Sequence, residues 1–247
     1  AKVEPANGIS LYVYDHCPFC VRARIIFGLK NIRYNLVFMA NDDIKTPTDL
    51  IGKKLAPILE IKAEDVCMPE SMDIVAKIDE NAAFGAPLLK PASDRTDIKA
   101  WQKKHKPSFG QLQRPRYVMT GLLPEFSFES SRDFFIKGHQ MPGYEKADWK
   151  SDKYDMDFRK AEYQKAFDET PTHLAAANEA LKELEPLIFS AEHCSPEGVS
   201  YDDIDLFARL RSMTIVKGLV MPPKVAAYME YMSKASDIPL YTGLAMY

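Results

Sequence analysis

Two cysteines spaced C-x-x-C, within Tyr14-Asp15-His16-Cys17-Pro18-Phe19-Cys20, are the residues best suited to do chemistry. A thiolate attacks disulfides, and a second thiol one helical turn away can release what the first has captured. For that, Cys17 must be acidified. Residues 9–14 form a short apolar run of strand type. A helical pattern follows the motif at once, with Ile25, Ile26 and Leu29 on its apolar side. Pro18 suits the first helical turn, where its missing N–H would have no intrahelical partner. Cys17 then stands at the start of the helix, where free backbone N–H groups and the positive end of the dipole favour a thiolate. Its pKa is expected to fall from roughly 8.5 into the roughly 3.5–7.5 range of activated cysteines. Cys20, further in and less exposed, is placed to attack a mixed disulfide formed on Cys17.

Other uses of the pair fit less well. Zinc needs four ligands, usually from two such pairs or from a cysteine and a histidine pair. Cys67 and Cys194 stand apart and no H-x3-5-H follows, so no metal is expected. A structural disulfide between cysteines so close in sequence would restrain the unfolded chain little. Cys67, on an expected strand, and Cys194, in a turn, receive no role. Arg22 and Arg24 read as solvated surface charge, His16 as a loop histidine incidental to the motif, and Asp15 is left unassigned.

The elements that must position the pair read in the order β-α-β-(α)-β-β-α. After the first strand and helix, residues 33–39 are rich in β-formers, and Asn41-Asp42-Asp43 ends that strand. A short helical or irregular piece opens near Thr46-Pro47-Thr48. Residues 53–61 read as a third strand with Pro57 at its mouth, where a residue without an N–H marks a strand start, an edge or a turn. Polar residues 62–65 can close a hairpin onto residues 66–68. A helix through Met72, Ile74, Val75 and Ile78 follows, opening at Glu70 or Ser71. A small α/β domain over residues 9–84 is therefore expected, with residues 85–93, holding Pro87 and Pro91, as a linker.

Residues 94–247 lose the strand signal and read as an all-helical domain. Pro107 and Pro115 are expected to break or kink the first helix there. Residues 120–151, aromatic and punctuated by glycine and proline, are expected to give helix pieces and a long irregular loop. Residues 154–190 read as helix divided near Pro171, with Leu174, Ala177, Leu181, Leu184 and Ile188 as a core-facing stripe. Ser200 is an N-cap candidate, with Asp203 placed to complete a capping box and Val199 and Ile204 a hydrophobic staple. Another helix begins at Met221-Pro222-Pro223. Residues 1–8 lack a signal-peptide core and an initiator methionine, and are read as a disordered, processed or tag-derived N-terminus.

Composition sets the outer bounds. The 247 residues carry 46% hydrophobic and 27% charged residues and a net charge of −3, with 32 basic and 35 acidic side chains. The signs are interleaved, which gives no nucleic-acid footprint. No apolar run approaches the roughly 18 residues of a membrane span. Four cysteines in this length make no disulfide framework and point to a reducing cytoplasm.

The motif with its continuation Arg24-Ile25-Ile26-Phe27-Gly28-Leu29-Lys30-Asn31-Ile32 resembles the glutaredoxins, in particular their large bacterial form with glutathione-transferase architecture. Asn41-Asp42-Asp43, Ala56-Pro57-Ile58-Leu59, Met68-Pro69-Glu70-Ser71-Met72-Asp73-Ile74-Val75 and Ser200-Tyr201-Asp202-Asp203-Ile204-Asp205-Leu206-Phe207 carry the likeness onward, over residues 9 to about 235. The resemblance implies a thioredoxin-like domain followed by a helical domain of glutathione-transferase type. It also implies a glutathione-dependent thiol–disulfide oxidoreductase acting on disulfide-containing or glutathionylated proteins. In that family Pro57 would be cis, and the backbone of Ala56 would pair with the cysteinyl part of glutathione. Glu70 and Ser71 would hold its γ-glutamyl end, and Phe19 would form a flat wall beside the sulfur. On residues alone, Ser71 could equally be a helix cap and Glu70 a dipole partner. Ala56 stands where the family usually has valine and Phe19 where it usually has tyrosine. The stretch 123–165 looks longer than the family connection and could cover the cleft between the domains. Glutathione is the expected co-substrate, with no nucleic-acid or membrane partner and a monomer expected over a dimer. The rival readings are a cysteine-type glutathione transferase or dehydroascorbate reductase, and a noncatalytic glutathione or iron–sulfur binding protein.

Overall fold

The computed structural model describes residues 8–245, so residues 1–7 of the expected N-terminal tail lie outside it. Four strands, β1 (Ile9–Val13), β2 (Asn35–Phe38), β3 (Ile58–Ile61) and β4 (Val66–Pro69), form one sheet in the order β2-β1-β3-β4. β1 runs parallel to β2, through the crossover helix α1 (Pro18–Leu29), and antiparallel to β3, which pairs antiparallel with β4. The short α2 (Lys45–Ile51) precedes β3, and α3 (Ser71–Asp79) follows β4. Register decides what meets what. Tyr12 lies opposite Ile58, and Ile58 opposite Pro69. The end of β1, the start of β3 and the end of β4 therefore share one end of the sheet, which brings residues 14–20, 56–57 and 70–71 to the same place.

The helical half comprises α4 (Thr96–Met119), α5 (Glu129–Gly138), α6 (Met156–Asp168), α7 (Thr170–Leu184), α8 (Tyr201–Met213) and α9 (Pro223–Ser236). α1 packs on α3 and also against α8 and α9. It is consequently buried nearly all round, with Val21, Ala23, Ile25, Ile26 and Phe27 fully enclosed. The single apolar side read from the pattern is thus too narrow: a helix with neighbours on every side is a core helix. Arg22 and Arg24 are corrected with it. Both are taken from solvent and paired, Arg22 with Asp205 of α8 and Arg24 with Asp15.

The expected break at Pro107 and Pro115 does not occur, and α4 runs unbroken for 24 residues. An interior proline costs about 3 kcal/mol in an isolated helix. Here Ile98, Trp101, Phe109, Leu112, Tyr117 and Val118 are buried, with α4 packed on α6 and α7. Several buried side chains at about 1.5–3 kcal/mol each outweigh two local penalties. α6 and α7 divide at Glu169, with Pro171 in the first turn of α7, where it is tolerated. The capping box forms as read: the Asp202 N–H donates to Ser200 Oγ and the Ser200 N–H to Asp203 Oδ2.

Residues 85–95 form neither helix nor strand but are held in place. Asp79 accepts the N–H groups of Leu88 and Leu89, Asp202 accepts that of Ser93, and Lys90 bridges to Ser200. Within the long stretch, residues 139–155 make turns only, and Arg159 pins them by donating to the carbonyls of Trp149 and Ser151. The beginning of that stretch reaches the turn that follows β2. The Asn41 N–H donates to the Glu125 carbonyl, and Ser131 bonds Asp42.

Candidate active site

Cys17 is the N-cap residue of α1 in extended conformation, with Pro18 in the first turn, and is half-buried. Cys20, one turn later, is fully buried, and its sulfur accepts the Tyr14 backbone N–H at 3.3 Å. The two thiols differ sharply in acidity. The Cys20 thiol donates to Cys17, which lowers the Cys17 pKa to about 6 against the opposing effect of burial. The charge of His16 and the backbone N–H groups of Cys20 and Phe19 act in the same direction. Cys20 is pushed well above the ordinary thiol value, first by burial and then by its bond to Cys17. One nucleophilic sulfur and one protonated sulfur held behind it are the arrangement a dithiol exchange needs. Alkylation of Cys17 by iodoacetamide should therefore rise with pH to a plateau with a midpoint near 6, against about 8.5 for an unperturbed thiol. A midpoint at the unperturbed value would refute this account of the site.

The remaining expected site residues stand around the same end of the sheet. Phe19 is 48% exposed, with the Arg22 guanidinium 4.8 Å from its ring centre. The Ala56–Pro57 peptide bond is cis. Glu70 is exposed and holds φ at +74°, a region where a residue with a Cβ costs on the order of 1–3 kcal/mol and which clusters at ligand sites. Ser71 is 6% exposed and is the first residue of α3, not its cap. Neither Glu70 nor Ser71 supplies a side-chain cap bond. The cap reading of Ser71 is thereby removed. Glu70 does hold the N-cap position in α3, but its side chain bonds no backbone N–H there.

Three groups beside the cysteines went unread in the sequence. The first is a buried network on Asp15. Arg24 donates to its Oδ1 at 2.5 Å, Arg211 of α8 to both carboxylate oxygens at 3.2 Å, and the Tyr241 hydroxyl to Oδ2 at 2.7 Å. Arg211 also donates to the Asp15 carbonyl, and Ser212 to that of His16. Burial opposes the charge of Asp15, but Arg211 and Arg24 outweigh it and hold the carboxyl below its usual range. The second is Glu125, from the helical half, bonded to His16. The third is Lys54. Its ammonium donates to the Tyr14 hydroxyl (2.8 Å) and the Asn41 carbonyl (2.7 Å) between the rings of Tyr14 and Phe134, and burial lowers its pKa. His16 and Asp15 are thus structural partners of the helical half. The sequence carried no local signal for this, since Arg211 is one of five charged residues in α8.

All four cysteines are free thiols, Cys67 exposed and Cys194 buried. Among the described residues no group of three His, Cys, Asp or Glu side chains is gathered to hold a metal ion, and no helix is long and apolar enough to cross a membrane.

Residues 97–245 match the family model described as Glutaredoxin 2, C terminal domain, and residues 11–87 that of Glutathione S-transferase, N-terminal domain. Over 238 residues the chain is 34% identical to glutaredoxin 2 of Escherichia coli strain K12, covering 96% of this chain and 100% of that protein. Glutaredoxin 2 from Salmonella typhimurium, solved in complex with glutathione, matches with a TM-score of 0.82 at 35% identity, over 98% of this chain and 100% of that one. The fold is a thioredoxin-like half followed by a helical half of glutathione-transferase type.

Proposed function

The chain belongs to the glutaredoxin 2 family, and from that premise we propose that it is a thioltransferase in which Cys17 is the nucleophile and Cys20 the resolving thiol. Its class is that of a glutathione-dependent oxidoreductase. The observation that carries the assignment is the asymmetry of the two thiols, an acidified half-buried Cys17 against a buried, protonated Cys20. With a protein disulfide, the Cys17 thiolate attacks one sulfur, the S–S bond breaks, and the departing protein thiolate takes up a proton. Cys20 then gives up its proton and attacks Cys17 Sγ, which closes the Cys17–Cys20 disulfide and frees the second protein thiol. Two glutathione thiolates restore the dithiol: one forms a mixed disulfide on Cys17, the next takes the glutathionyl sulfur away as glutathione disulfide. A protein–glutathione mixed disulfide needs Cys17 alone.

Glutathione is proposed to lie across the shared end of the sheet. The Ala56 backbone beside Pro57 would pair with its cysteinyl part, Glu70 and Ser71 would take the γ-glutamyl end, and Phe19 would flank the sulfur. The positive φ of Glu70 and the uncapped start of α3 support this seat, since free N–H groups at a helix start suit a carboxylate. A boundary at residues 85–93 between two domains, a monomeric state and a reducing cytoplasm, which the free thiols fit, complete the reading. The test is glutathione-coupled reduction of a small mixed disulfide run beside glutathione conjugation of a chloroarene. Rapid reduction with little conjugation is expected. Strong conjugation without reduction would replace this reading with a cysteine-type transferase.

A further inference from the structure

Glu125 sits in the single 3-10 turn of residues 124–126 between α4 and α5, and it is 0% exposed. Its Oε1 accepts the His16 backbone N–H at 2.8 Å and lies 2.5 Å from His16 Nδ1. A carboxylate only accepts, so Nδ1 carries the proton of that second bond. Tyr117, Phe126 and Phe135 enclose the imidazole, with ring centres 4.9, 4.9 and 5.3 Å away. Glu125 Oε2 has no hydrogen-bond partner among the described residues. An acid placed among aromatic rings with one oxygen unsatisfied is a poor stabiliser, because desolvation and the orphan acceptor together offset what the bonds return. Nor is the side chain needed to fasten its segment to the turn after β2, since the Asn41 N–H already bonds the Glu125 carbonyl. Both side-chain contacts fall on the residue that precedes the nucleophile.

We propose that Glu125 is a positioning residue of the exchange reaction: from the helical half it fixes and polarises His16, and through His16 it favours the thiolate of Cys17. This rests on the reading of Cys17 as nucleophile. The His16 charge acts on the Cys17 sulfur in the direction required. Other groups face this corner, and none supplies the same contact; the Glu125 carboxylate itself opposes negative charge on Tyr14 and Cys20, whereas at Cys17 the principal charge acting is that of His16. Tyr14 follows β1 and Cys20 lies on α1, Tyr117 and Arg114 come from α4, and His139 follows α5 with burial pushing it down to about 4. Arg211 of α8 is committed to Asp15.

Glu125→Gln keeps the volume and an oxygen for the His16 N–H but removes the charge opposite the ring. Glu125→Met, of similar size and apolar, serves should the amide not fold. Iodoacetamide alkylation of Cys17, followed by mass spectrometry from pH 4.5 to 9, is the measurement, with thermal unfolding recorded alongside. In either variant the midpoint should move up by about one unit, so that the rate near pH 6 falls about three- to tenfold while the rate at pH 9 stays within about twofold of wild type. Variants that keep the wild-type midpoint, whatever their melting temperature, overturn the proposal. A wild-type Cys17 that is not alkylated selectively at neutral pH would instead refute the nucleophile assignment itself.

Discussion

Cys17→Ser is expected to lose glutathione-coupled reduction of both protein disulfides and glutathione mixed disulfides, by at least about a thousandfold in kcat/KM. A serine hydroxyl at the start of α1 is not ionised at neutral pH, so the favourable N–H groups and the His16 charge have no anion to act on. Cys20→Ser should separate the two substrates. It leaves a hydroxyl able to donate to the Cys17 thiolate, so the nucleophile survives, and glutathione itself can finish the reaction with a mixed disulfide. Reduction of a protein dithiol should fall steeply, because the intermediate on Cys17 then has no internal thiol to resolve it. Initial rates with a glutathionylated peptide and with a protein disulfide, run side by side, check the division. Equal loss in both assays for Cys20→Ser would refute it.

Gly28→Ala should be strongly destabilising. A Cβ at this position of α1 would lie 1.8 Å from the Ser236 carbonyl oxygen and 2.1 Å from its carbon, both backbone atoms at the end of α9. Neither can turn aside as a side chain would, so the two helices must separate. Alanine recovers about 1 kcal/mol of helix propensity, but overpacking against backbone reaches about 3 kcal/mol or more. A net loss of about 2–3 kcal/mol corresponds to a Tm lowered by roughly 4–12 °C in a chain of this size. Thermal unfolding measures it directly. A variant that melts with the wild type would show that α1 and α9 do not approach so closely.

Much of the fold could be read locally because local forces set it. Pro18 after Cys17, the strand run before it, and Ser200 with Asp203 each act within a turn of chain, and the structure places all of them as read. Where the reading failed, a distant partner outweighed the local preference. Pro107 and Pro115 lie in an unbroken helix because its burial against α6 and α7 outweighs the missing hydrogen bonds. Arg24 looks like surface charge until Asp15, nine residues earlier, is folded beside it and covered by α8. For the cysteine pair, residue type and spacing suffice to name the chemistry. What tunes it was not legible, because Glu125, Arg211 and Tyr241 lie 109, 196 and 226 residues from the groups they bond. No periodicity or spacing rule spans such distances. Gly28 was likewise only a glycine in a helical pattern until Ser236 stood against it.

The network on Asp15 has a consequence for how the protein is made. The motif emerges from the ribosome well before the Tyr241 hydroxyl that bonds Asp15, which is specified 226 residues later. At synthesis rates of about 5–20 residues per second, that is an interval of roughly 10–45 s. Within it the partners of the loop before the nucleophile arrive in turn, Glu125 after 109 residues, Arg211 after 196 and Tyr241 last. The groups that acidify Cys17 thus lie within its own motif, while the loop before it acquires its final hydrogen bonds only as α8 and the residues after α9 dock.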